Sequence, residues 1–87
     1  MATHTVAIKA MKFDPPTIEI QAGDSVQWKN EMGMAHTSTS DDGTPTTWDT
    51  GHIAGNTTSK AVPFPAKSDN PYHCTIHASM KGKVVVK

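Results

Sequence analysis

The chain contains no arginine; its eight basic residues are all lysines, balanced by eight Asp and Glu, so the formal net charge is zero. A nucleic-acid binder needs a basic stripe, and lysines scattered along the chain supply none. Without the planar guanidinium fork, and with no Gly-rich phosphate loop, nucleotide chemistry is equally disfavoured. Cysteine occurs once, as Cys74. No internal disulfide can therefore staple the chain, and the thiol is inert, reactive or a metal ligand. No apolar run approaches the roughly 20 residues that cross a bilayer as a helix, so stable membrane insertion is not expected. The opening Met1-Ala2-Thr3-His4-Thr5 lacks the charged region and apolar stretch of a signal peptide. It fits either a trimmed, originally exported protein or a natural start.

What is present is alternation. Val6, Ile8 and Ala10 alternate with Thr5, Ala7 and Lys9; Ile18 and Ile20 with Thr17, Glu19 and Gln21; Val26 and Trp28 with Gln27 and Lys29. Period-two patterning of this kind predicts half-buried strands. Asp14-Pro15-Pro16 separates the first two, and Ala22-Gly23-Asp24 has the chemistry to reverse the chain before the third. Thr58 to Val62, Tyr72 to Cys74 and Lys83 to Lys87 are also short and β-prone. Six to eight short strands punctuated by Gly and Pro point to an all-β sandwich. Between Thr37 and Thr58 the chain is rich in Thr, Ser, Asp and Gly, which predicts a loop anchored by Trp48. No repeat or internal linker divides the sequence, so residues 1–87 are expected to form one domain. A chain of 87 residues buries only about 60–65% of its unfolded surface, so a bound metal would matter to its stability.

The informative stretch is Tyr72-His73-Cys74-Thr75-Ile76-His77-Ala78-Ser79-Met80-Lys81-Gly82, which carries the spacing Cys-x2-His-x2-Met. It offers a thiolate, an imidazole and a thioether on one short loop. Thiolate and thioether favour Cu(I) and imidazole suits both oxidation states; a His2Cys plane with a weak axial Met is the donor set of an electron-transfer site. A second imidazole must come from elsewhere. His36 in Met34-Ala35-His36-Thr37 follows the third strand and a turn at Met32-Gly33.

These features resemble the cupredoxins, the family of plastocyanin, pseudoazurin and amicyanin, over essentially the full length. Gly23-Asp24-Ser25-Val26-Gln27-Trp28-Lys29-Asn30 resembles the strand leading to the family's first His ligand. Trp48-Asp49-Thr50-Gly51 resembles its mid-chain segment, and Tyr72-His73-Cys74 the strand entering the ligand loop. The gap from His77 to Met80 is similar to that of amicyanin. The resemblance implies a Greek-key β-sandwich holding one type 1 copper ion, with His36, Cys74 and His77 as equatorial ligands and Met80 as the axial one. Two positions depart from the pattern. Ala78 stands where amicyanin-like loops have Pro, which implies a less rigid loop. Thr37 stands where many members have an Asn hydrogen-bonded to the residue after the Cys, and a link from Thr37 to Thr75 would replace it.

Other candidates have plainer explanations. His73 alternates away from Tyr72 and Cys74 and should face solvent; His4 and His52 lie in exposed, polar segments. Asp41-Asp42-Gly43 lacks the spacing of an EF-hand loop and reads as a solvated turn. Trp28 and Trp48 are expected in the core or as lids, and Met32 and Met34 as packing residues or an apolar rim around the copper. The functional expectation is a soluble monomeric one-electron carrier, not an enzyme. Redox partner proteins would dock transiently near His77, and the family resemblance implies a periplasmic or otherwise extracytoplasmic location. Two rival readings are a small copper enzyme, whose open site reacts with a molecule such as nitric oxide, and a copper carrier or storage protein.

Overall fold

The computed structural model describes residues 1–87. It contains eight strands and no helix: β1 (Thr3–Lys9), β2 (Lys12–Asp14), β3 (Thr17–Ile20), β4 (Ser25–Asn30), β5 (Thr39–Ser40), β6 (Val62–Pro63), β7 (Ser68–His73) and β8 (Lys81–Val86). They form two four-stranded sheets, ordered β2-β1-β4-β6 and β3-β8-β7-β5. β1 runs parallel to β4 and β3 parallel to β8, while the remaining pairs are antiparallel. The fold is therefore the all-β sandwich that the alternation and the resemblance lead one to expect.

The alternating residues do what their period requires. Val6 and Ile8 of β1, Val26 and Trp28 of β4, and Val84 and Val86 of β8 are buried, and their neighbours are half-buried or exposed. Each large apolar side chain so enclosed contributes about 1.5–3 kcal/mol. An aromatic cluster occupies the middle of the core. Trp28 and Trp48 stack at 5.8 Å, and Tyr72 meets Trp28 and Phe13 edge-on at 5.3 Å and 4.7 Å. Trp48 thus anchors the polar segment after β5 from inside the sandwich.

Several boundaries differ from the sequence expectation, among them that of β8, which runs Lys81–Val86 rather than from Lys83 to Lys87. Ala10 is not in a strand: β1 ends at Lys9, and Ala10 and Met11, with φ of 52° and 59°, reverse the chain into β2. Two successive residues at positive φ make a tight hairpin of the kind Gly or Asn usually serves, which is why Ala-Met gave no signal. Of the segment from Thr58 to Val62, only Val62 lies in a strand, while Thr58 makes an isolated bridge to Lys29. β7 begins at Ser68, earlier than expected, and ends at His73, leaving Cys74 just beyond it. The turn at Ala22-Gly23-Asp24 is as expected: Gly23 has φ 95° and Asp24 N–H donates to Gln21 O at 3.0 Å.

Candidate metal centre

The β7–β8 connection closes on itself. His73 pairs with Lys81 as the last rung of the ladder. Beyond it, Cys74 N–H donates to Met80 O at 3.0 Å and Met80 N–H donates to His77 O at 2.9 Å. Two backbone bonds thus shape a loop whose ends are Cys74 and Met80, both buried, with His77 half-exposed at its tip.

His36 reaches the same place from the segment between β4 and β5. Its backbone is bridged to Ile53 in both directions, by N–H donation to Ile53 O at 3.2 Å and acceptance from Ile53 N–H at 2.7 Å. Asn30, buried at the end of β4, clasps the intervening turn. Its Nδ2 donates to Met34 O at 2.7 Å and Ile53 O at 3.0 Å, and its Oδ1 accepts Met32 N–H at 3.0 Å. The position of His36 is therefore set by the end of β4 together with the bridge to Ile53.

His36, Cys74 and His77 each offer one donor atom, and the three atoms lie within 4.8 Å of one another. Cys74 Sγ is 3.8 Å from His36 Nδ1 and 4.0 Å from His77 Nδ1, and the two rings are 4.9 Å apart. Such separations are long for strong hydrogen bonds. They suit soft donors that share one ion at bond lengths of about 2.0–2.3 Å. His36 is wholly buried, and its Nε2 has no hydrogen-bond partner. Burial, and secondarily the nearby His77, hold its pKa below the ordinary imidazole value, so it stays in the neutral form a metal needs.

The whole chain, residues 1–87, matches the family model for copper binding proteins of the plastocyanin/azurin family. The chain belongs to that family. Amicyanin-alpha of Methylorubrum extorquens is 36% identical over 83 residues, covering 94% of this chain and 70% of that protein. Amicyanin of Paracoccus denitrificans is 31% identical over 96 residues, covering 94% of this chain and 63% of that protein. Among solved structures, amicyanin from Paracoccus versutus superposes with a TM-score of 0.87 at 29% identity, covering 98% of this chain and 81% of that one. An oxidised proline-to-alanine variant of amicyanin gives 0.89 at 29% identity, covering 98% and 82%. This cupredoxin's cofactor is one copper ion, and the cluster of His36, Cys74 and His77 fits it.

The replacement for the family's Asn is in place. Thr75 N–H donates to Thr37 Oγ1 at 2.8 Å, the two hydroxyls are 3.1 Å apart, and Thr37 N–H points at Cys74 Sγ at 3.4 Å. The other histidines stand apart. His73 is half-buried, with Nδ1 2.6 Å from Asp41 Oδ1. His52 is exposed, and His4 sits 2.9 Å from Asp24 Oδ2. No spacing marks Asn30 and Ile53 as site residues in the sequence, since they meet each other across 23 residues of chain. An Asn ending a strand was the only available hint.

Proposed function

We propose that His36 Nδ1, Cys74 Sγ, His77 Nδ1 and the Met80 thioether would hold the copper, and that the protein is a one-electron carrier built on that site. The supporting observation is the convergence of two imidazoles and the only thiol within 4.8 Å, with Met80 buried at the end of the same loop. Copper in such a donor set supplies a reversible one-electron couple. The protein's own residues do the rest. Buried His36, Cys74 and Met80 exclude water, and the loop-closing backbone bonds fix the donors so that little has to move on electron exchange. Thr37 N–H places a donor on the sulfur, where negative charge grows on reduction.

Half-exposed His77 is the natural exit. Beside it the exposed Ile76, and beside His36 the exposed Met34, provide the apolar rim against which a redox partner would dock transiently, with the protein acting as a monomer. We place the protein outside the cytoplasm by resemblance to the family. The enzyme and metal-storage readings draw less support, since the relatives matched over nearly all of this chain are amicyanins.

The test is spectroscopic. Cu(II) loading should give an intense visible thiolate-to-copper band that Cys74→Ala abolishes, because no other thiol exists. A colourless protein with one bound Cu(II), or colour surviving that substitution, would overturn the assignment.

A further inference from the structure

A continuous run of polar side chains leads away from Cys74 and ends on a carboxylate. Thr37 Oγ1 accepts Thr75 N–H at 2.8 Å and lies 3.1 Å from the Thr75 hydroxyl. On its other side it is 3.3 Å from Thr39 Oγ1, which is 3.1 Å from Asp49 Oδ1. Asp49 is itself fixed: Oδ1 accepts Gly51 N–H at 2.8 Å, and its backbone forms an isolated bridge with Thr39.

Proton counting assigns the donors along this run. Thr39 Oγ1 is the donor to both of its oxygen neighbours, Asp49 Oδ1 and Thr37 Oγ1, so its one proton is shared between them. The carboxylate can only accept, and its charge-assisted contact holds the Thr39 hydroxyl in place. Thr37 Oγ1 accepts from the Thr75 N–H and from Thr39, which leaves its own proton for the Thr75 hydroxyl oxygen. Thr37 is only 2% exposed, so water is a poor substitute for the Thr39 hydroxyl.

We propose that Thr39 and Asp49 are positioning residues for the redox site. They orient the hydroxyl chain so that Thr37 clamps Thr75 and its backbone N–H stays on Cys74 Sγ. This rests on the reading of Cys74 as the copper thiolate. The relay replaces one Asn side chain by three hydroxyls and a surface carboxylate, and so ties the potential of the site to Asp49, a residue outside the ligand loop. A donor N–H on the sulfur favours the reduced state, so loosening it lowers the potential. Deleting the negative charge of Asp49 by itself would raise the potential. The opposite signs separate the two effects.

The experiment is a double-mutant cycle of Thr39→Val and Asp49→Ala, with Thr39→Ser as the conservative control. In the copper-free protein, Thr39→Val should speed amide exchange at Thr75 roughly three- to tenfold, as expected for losing one hydrogen bond of the clamp, and Thr39→Ser should restore it. In the copper-loaded protein, Thr39→Val should lower the reduction potential. The change caused by Asp49→Ala should differ between the wild-type and Thr39→Val backgrounds, since only the charge effect survives once the relay is cut. Unchanged exchange at Thr75 in Thr39→Val, or strictly additive potential shifts, would overturn the relay. A wild-type protein that takes up copper without the thiolate band would overturn the ligand reading instead, and the copper-free exchange data keep the two failures apart.

Discussion

Gly82 has no room for a side chain. It pairs with Tyr72 across β7 and β8, and a Cβ built on it would lie 2.4 Å from Tyr72 Cζ and 2.5 Å from the phenol oxygen. The Tyr72 ring therefore lies over bare backbone, packed against Phe13 and Trp28. Burial pushes the phenol pKa well above its ordinary value. Gly82→Ala should force the ring out of this place and cost about 1–3 kcal/mol by overpacking, read as a lower urea midpoint. An unchanged midpoint would mean the ring can lie elsewhere at no cost. Residues of this kind divide by how local their signal is. Cys74, His77 and Met80 were legible because their chemistry recurs within one short loop. Gly82 was not, since its constraint comes from the ring of a cross-strand partner. The link between Thr39 and Asp49 was not legible for the same reason: a hydroxyl chain spanning two segments has no spacing to read.

Strand ends and turns carry the next layer of constraint. Asn30 ends β4 and holds the turn that delivers His36, so Asn30→Ala would leave Met34 O without its donor and take one of two donors from Ile53 O. It should cost about 1–3 kcal/mol and speed exchange of the Met32 amide, whose acceptor is Asn30 Oδ1; exchange confined to its wild-type rate would show that the clasp is dispensable. Asp24 does comparable work at the turn between β3 and β4. It is hydrogen-bonded by His4, and by the N–H groups of Ala2 and Gln21. These bonds, that of His4 foremost, push its carboxyl down to about 2 from 3.8. A carboxyl with a lowered folded-state pKa stabilises fully above its unfolded value and loses that contribution as pH falls through the folded one. The stability difference between wild type and Asp24→Asn should therefore shrink as pH falls from about 5 toward 2. Urea titrations across that range check it, and a difference that grows on acidification would contradict it. β-prone composition alone marked β8, while alternation revealed β1, β3 and β4, because each exposes one face. It could not reveal β2 and β5, of three and two residues, which are too short to show a period and are fixed by the strands they pair with.

At the scale of the whole molecule, the sandwich brings together donors 38 residues apart, His36 and Cys74, and the unfolded chain cannot do so. An ion that binds only the folded state stabilises it by RT ln(1 + [L]/Kd), which is about 4 kcal/mol at a thousandfold excess over the dissociation constant. A domain of this size has a total stability of only about 5–15 kcal/mol, so the ion would supply a large share of it. At about 4–8 °C per kcal/mol for a small domain, the copper-loaded protein should melt roughly 15–30 °C above the copper-free protein. Calorimetry on the same chain with and without copper measures this directly. It avoids the ambiguity of substituting Cys74, whose buried side chain also packs in the core and would alter stability for reasons unrelated to metal. The size of the shift also separates two kinds of binding. Donors clustered only in the folded chain predict a large shift that grows with copper concentration. Copper held equally well by the unfolded chain, through the lone thiol or scattered histidines, predicts little or none. Equal melting temperatures would therefore refute a tight native site even if the protein retained copper at room temperature.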